Sequence, residues 1–115
     1  MAQGVYLLEK NQQRICIFIR RETGMELTIR FENYRNRAAA YDGDHEVGEC
    51  TFTRSDNRWV IEHTEVDPLY NGNGIAGKLV DEVAQNARKI GVKILPLCSY
   101  AKKRMQRPEY ADLVV

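Results

Sequence analysis

No apolar run in this chain approaches the roughly 20 residues that a membrane-spanning helix requires, and residues 1–14 (MAQGVYLLEKNQQR) lack the apolar core of a secretion signal. Charge of one sign is also missing. Seventeen Lys and Arg against sixteen Asp and Glu leave a net charge of +1, so neither nucleic acid nor an anionic membrane is the expected partner. Cysteine is scarce and odd in number. Cys16, Cys50 and Cys98 have no metal-ligand spacing, so no metal site is expected, and free thiols in a reducing, cytoplasmic compartment are. There is no repeat, no low-complexity stretch and no linker, so residues 1–115 are expected to form one domain with one modest core.

What is present falls into two halves. The N-terminal half is patterned as β structure. Ile15, Ile17 and Ile19 alternate with Cys16, Phe18 and Arg20, and after a turn at Glu22-Thr23-Gly24 the alternation resumes with Leu27, Ile29 and Phe31. A short run at residues 37–41 is closed by Asp42-Gly43-Asp44, and residues 46–53 and 59–66 form a further hairpin around Ser55-Asp56-Asn57. Strict alternation puts Trp59, Ile61, His63 and Glu65 on one face, and Val60, Glu62, Thr64 and Val66 on the other. After Asp67-Pro68 the period changes. Ile75, Leu79, Val80, Val83, Ala84, Ala87 and Ile90 make a helical stripe, with Lys78, Asp81, Glu82, Gln85, Asn86 and Lys89 on the polar side. Gly91 is placed to cap this helix, residues 92–97 read as a buried strand, and Ser99 is placed to cap a last helical turn that Pro108 helps to end. The fold class expected is α/β (α+β): a mostly antiparallel sheet feeding one right-handed βαβ unit, with a short C-terminal helix.

The junction between strand and helix, residues 71–76 (NGNGIA), carries the most chemistry. A glycine turn that opens a helix leaves backbone N–H groups unpaired beside the positive end of the helix dipole, which suits a phosphate. A Walker loop is excluded, because Gly77-Lys78 is followed by Leu79. Gly72, Gly74 and Gly77 satisfy the dinucleotide spacing, yet no Asp or Glu lies between Glu82 and Glu109 to bind a ribose, and the strands before the turn are hairpin-linked. Asn71-x-x-Gly74-x-Ala76 fits the pyrophosphate loop of GNAT-type N-acetyltransferases except for Asn in the first position. A plain structural turn is the alternative.

From residues 63–66 (HTEV), through residues 71–80 (NGNGIAGKLV), to residues 96–101 (PLCSYA) and 108–114 (PEYADLV), the chain resembles the small, single-domain GNAT-like acetyltransferases that carry Cys-Ser-Tyr after the last strand. The resemblance covers about the last half, and little of it lies before residue 35. It implies acetyl-coenzyme A as cosubstrate and an amine acceptor, either a small molecule such as a polyamine or a protein lysine or terminus. Asn71, Gly72, Asn73, Gly74, Ile75, Ala76 and Gly77 would hold the pyrophosphate, and Val66 at the strand edge would meet the pantetheine arm. The two parallel strands would part there, with Cys98 near the thioester.

Each candidate has an ordinary structural alternative. Cys98 is a nucleophile if its thiol ionises, and a small core residue otherwise. His63, with Glu62 and Glu65, is a candidate base for the incoming amine, or a residue bonded to a neighbouring strand. Tyr100 and Tyr110 would cover the thioester or protonate the leaving thiolate, or else simply pack half-buried. Lys102, Lys103, Arg104 and Arg107 would meet the 3′-phosphate or solvate a helix, while Cys16 and Cys50 are expected in the core. The function expected is acetyl transfer to an amine. Its rivals are a coenzyme A binding module with little turnover and an adaptor in which the glycine turn is only structural. Acceptor identity and oligomeric state are left open.

Overall fold

A computed structural model describes the backbone of residues 5–6, 14–20 and 25–115, and side chains from residue 27 onward. Among the described residues one sheet holds seven strands in chain order: β1 (Val5–Tyr6), β2 (Arg14–Arg20), β3 (Met25–Glu32), β4 (Arg37–Asp42), β5 (His45–Ser55), β6 (Arg58–Val66) and β7 (Lys93–Pro96). All neighbours are antiparallel except β6 and β7, which run parallel around α1 (Ile75–Ile90). A short helix, α2 (Ser99–Arg104), follows β7. The expected hairpins are present as strand pairs. The Glu22-Thr23-Gly24 turn and the burial of Ile15, Ile17, Ile19 and Cys16 lie outside the described residues.

The helix packs on one face of the sheet because both surfaces are apolar at the matching period. Leu27, Ile29 and Phe31 of β3, Cys50 and Phe52 of β5, and Trp59 and Ile61 of β6 are buried against Ile75, Leu79, Val80 and Val83. Each fully buried side chain of this size contributes roughly 1.5–3 kcal/mol. Ala38 and Ala40 on the central strand β4 are fully buried, and their small size lets the helix approach the sheet. Phe52 and Trp59 stack with centroids 4.2 Å apart, and Phe31 lies 6.0 Å from Phe52.

Two positions depart from the expected stripe. Ile90 is 60% exposed, because Gly91 ends the helix there and the last turn overhangs the sheet. Glu82 is buried rather than solvated, its carboxylate accepting from Asn86 Nδ2 at 3.2 Å. The start of α2 is also corrected: Cys98, not Ser99, occupies the N-cap.

The sheet's other face is polar. Arg37, only 4% exposed, donates to Glu32 at 2.8 Å, to Glu49 at 2.7 Å and to both Glu46 oxygens at 2.9 and 3.0 Å. Burial acts to lower its pKa, but the three carboxylates outweigh it and push the guanidinium's pKa above its usual range.

Candidate active site

The ladder between β6 and β7 ends early. Arg58 to Ile61 pair with Lys93 to Pro96, and the Ile61 carbonyl then accepts from both Leu97 N at 2.9 Å and Cys98 N at 3.2 Å. From Glu62 onward, β6 has no strand partner on that side among the described residues. Leu97 N makes the last regular bond to β6, and the chain turns into α2 at Cys98. A gap opens there, with Thr64 and Val66 on one bank and residues 98–100 on the other.

The glycine turn sits at the mouth of this gap. Gly74 is the N-cap of α1 at φ 74°, a conformation that favours glycine, and it offers no side chain to the first helical amides. The space beside Gly72 and Gly74 is open, so the backbone is directly approachable. Asn73 is turned inward, its Nδ2 donating to the Tyr70 carbonyl at 2.9 Å. Val66, Tyr70, Asn71, Gly72, Gly74, Ile75, Ala76, Gly77 and Tyr100 line one cleft of about 210 Å³. Of the residues expected to meet the cofactor, Asn73 and Cys98 are not in this lining. Tyr70, held by a 2.6 Å bond to Asp42, is a lining residue that sequence reasoning missed.

Cys98 stands beside the cleft, half-buried. Its Sγ donates to Thr64 Oγ1 at 3.4 Å, and the Thr64 hydroxyl donates onward to Cys50 Sγ at 3.5 Å. Burial alone would raise the Cys98 pKa. The Thr64 hydroxyl and the amides of Tyr100 and Ala101, which favour the charged form without closing a geometric capping bond, outweigh it and hold the thiol below its ordinary range. Cys50 goes the other way: burial pushes it up to about 12.

His63 is not where alternation puts it. Thr51 pairs with His63 but Phe52 pairs with Ile61, so Glu62 is an extra residue bulged out of β6. The bulge reverses the inside–outside order. Trp59 and Ile61 face α1, as do Thr64 and Val66 after the bulge, whereas His63 and Glu65 turn to the polar face. There His63 Nε2 lies 3.1 Å from Glu65 and 3.4 Å from Glu49. One potential ligand atom from each of these three residues falls within 4.8 Å of the others, an arrangement the two close His63 contacts account for. A second cleft, of about 420 Å³, opens on this side and is lined by Glu46, Val47, Gly48, Glu49, Glu65, Asp67 and Pro68. The two clefts share no lining residue, although Glu65 and Asp67 of the one are chain neighbours of Val66 of the other.

The sequence profile of the GCN5-related N-acetyltransferases matches residues 36–113, more than half of the chain. The chain belongs to the GCN5-related N-acetyltransferase family. It is similar to an NMR structure of a GCN5-like protein from Staphylococcus aureus, described as a candidate N-acetyltransferase. The two share 29% identity over 76% of this chain and 86% of that one, with a TM-score of 0.61. No curated protein matches significantly. Membership of this GNAT family supports an acetyltransferase function, and the α/β architecture is the GNAT-like one expected. No helix among the described residues is long and apolar enough to cross a membrane.

The GNAT chain uses its remaining candidates as supports. Tyr110 is buried, away from the cleft, with its hydroxyl on Asp81, so it does not cover a thioester. Arg104 makes two bonds to Asp81, at 3.0 and 2.7 Å, and its guanidinium fills the space where Gly77 would carry a Cβ, 2.7 Å from that position. It therefore buttresses the turn from behind. Lys102, Lys103 and Arg107 are exposed. Glu62 is exposed and accepts from Thr53 at 3.3 Å. Thr64 escaped notice in the sequence because strict alternation assigned it to the face away from Ile61. A bulge leaves no local signal beyond a strand residue out of step.

Proposed function

We propose that this protein binds acetyl-coenzyme A in the glycine-turn cleft and transfers the acetyl group to a cationic amine. One observation carries this: the uncapped first turn of α1 and Tyr100 of the Cys-Ser-Tyr segment line the same cleft, where β6 and β7 part. The amides of Ile75, Ala76 and Gly77 have the position and polarity to hold a pyrophosphate, helped by the dipole of a sixteen-residue helix. The unpaired edge of β6 suits an extended amide-bearing arm. The cosubstrate supplies an acetyl group activated as a thioester.

In this proposal Cys98 is the nucleophile. Its thiolate forms a new S–C bond to the acetyl carbonyl as the original thioester S–C bond breaks, and Tyr100, a cleft residue, gives the departing thiolate its proton. The ammonium acceptor gives up one proton to become nucleophilic, attacks acetyl-Cys98, and loses a second proton as the C–S bond breaks and the Cys98 thiolate is released. The acidic cleft suits the acceptor. Glu49, Glu65 and Asp67 favour a cationic amine such as a polyamine or a lysine-bearing segment, and His63 at the rim is the residue to take the proton. Direct attack of the amine on the thioester is the second route. It needs no proton relay to Cys98, which the bulge leaves on the opposite face of the sheet from His63, so that in the covalent route the proton passes from the amine to His63 through solvent. A coenzyme A binding module without turnover has no observation in its favour.

Calorimetry with acetyl-coenzyme A, followed by intact-mass analysis of the acid-quenched protein, tests the proposal. Binding and an acetyl adduct on the Cys98 peptide are expected. Cys98→Ser should abolish the adduct and lower transfer to polyamines at least about a hundredfold. No binding at millimolar concentration overturns the proposal, and undiminished transfer by Cys98→Ser leaves only the direct route.

A further inference from the structure

We propose that Thr64 is the positioning residue of this site: it holds Cys98 Sγ at the gap and directs its one hydroxyl hydrogen bond to whichever of two sulfurs, Cys98 or Cys50, is the stronger acceptor. The proposal's catalytic meaning rests on Cys98 being the nucleophile, whereas the coupling between these three side chains does not.

Three facts combine. The bulge at Glu62 turns Thr64 to the helix side, so that it lies between a strand neighbour, Cys50, and the thiol across the gap. Both sulfurs lie within hydrogen-bonding range of the same oxygen, at 3.4 and 3.5 Å. A threonine hydroxyl has only one proton to give. While Cys98 is a thiol, the chain of bonds runs from its S–H to Thr64 oxygen and from the Thr64 O–H to Cys50 sulfur. When Cys98 loses its proton to water in the cleft, its thiolate becomes much the stronger acceptor. The hydroxyl then rotates to Cys98, and the Cys50 S–H donates to the vacated oxygen. The chain reverses with no heavy atom moving. Cys50 suits this role because it is fully buried, and burial pushes its thiol well above the ordinary range.

Little else competes for the sulfur. Besides Thr64, the amides of Tyr100 and Ala101 act on it. The titratable group facing it from β5 is Cys50. Tyr100, Lys102 and Lys103 on its own helix, and Lys78 in the first turn of α1, are exposed.

Peptide-resolved alkylation of the full-length protein with iodoacetamide, across pH 5 to 10, tests this directly. Thr64→Val keeps the shape and removes the hydroxyl. The midpoint for Cys98 should rise by about one unit, making its alkylation roughly tenfold slower at neutral pH. Thr64→Ser should restore the wild-type midpoint, and Cys50→Ala should raise it by less than Thr64→Val does. Thr64→Ala makes the same comparison if valine disturbs β6. A Thr64→Val or Thr64→Ala midpoint equal to wild type overturns the proposal, as does a serine variant that fails to restore it. The acetyl-adduct experiment fails or succeeds separately: a shifted alkylation midpoint without an adduct keeps the Thr64 coupling and removes the nucleophile.

Discussion

Around Arg37 every guanidinium nitrogen has a partner, whereas around Gly74 the first helical amides have no side chain to receive them. Both regions are polar, and both lie where β-strands end or bend. Arg37 is surrounded by Glu32, Glu46, Glu49 and Tyr41, all from the same sheet face, and the group is closed upon itself. The glycine turn offers no side chain to cap the helix, is buttressed from behind by Arg104, and faces an open cleft. A closed cluster specifies how strands sit together. An open one leaves donors for a ligand. The difference lies in satisfaction, not in charge.

Breaking the closed cluster should have the largest effect. Arg37→Met leaves Glu32, a carboxylate only 3% exposed, with the Tyr41 hydroxyl and the half-exposed Arg35, 3.6 Å away, as its remaining partners. A loss of about 3–5 kcal/mol is expected, read as a lower urea midpoint, and a change below 1 kcal/mol would mean the cluster is not structural. Gly74→Val attacks the open region instead. A β-branched residue at φ 74° is strained whatever space surrounds it, so about 1–2 kcal/mol of stability should go. Affinity for acetyl-coenzyme A should fall at least about tenfold, or 1.4 kcal/mol, by calorimetry. Arg37→Met, if still folded, should leave that affinity unchanged, and the crossed outcome would erase the distinction between the two regions.

The smallest effect concerns the buttress. Burial alone would raise the Asp81 pKa, but Arg104 and Tyr110 bring its carboxyl below the ordinary aspartate range. A carboxyl whose folded pKa lies below its unfolded value stabilises the fold above the unfolded value. That contribution is lost as pH falls through the folded one. Glu32 behaves likewise: burial opposes ionisation, and Tyr41 and Arg37 overcome it. Melting temperature should therefore fall as pH drops from 5 to 2. Asp81→Asn should flatten that fall by about 1 kcal/mol, reduced from the full linkage value because the carboxyl is partly solvated. An unchanged acid limb would show that Arg104 and Asp81 do not stabilise the turn.

Much of the fold was legible in residue order. Alternation placed β3, β5 and β6, the period-3.6 stripe placed α1, and Gly91 marked its end, because these signals are local. Ile90 and Glu82 were misjudged since exposure depends on where the sheet stops, which a helical stripe does not reveal. The cleft lining was legible through the glycines. Tyr70 was not, because its place depends on Asp42, twenty-eight residues earlier.

Residue order by itself determined the strand–turn–helix junction, its lack of a capping side chain, and the Cys-Ser-Tyr segment after β7. These follow from backbone chemistry within a few residues, where glycine, proline and hydrophobic period act directly. Only the tertiary structure decided which face His63 and Thr64 would occupy. A single bulged residue inverts every later side chain, and the cost of that bulge is set by pairing with β5 and packing under α1. The resulting separation, imidazole among carboxylates on one side and two thiols about a threonine on the other, is therefore a property of the folded sheet.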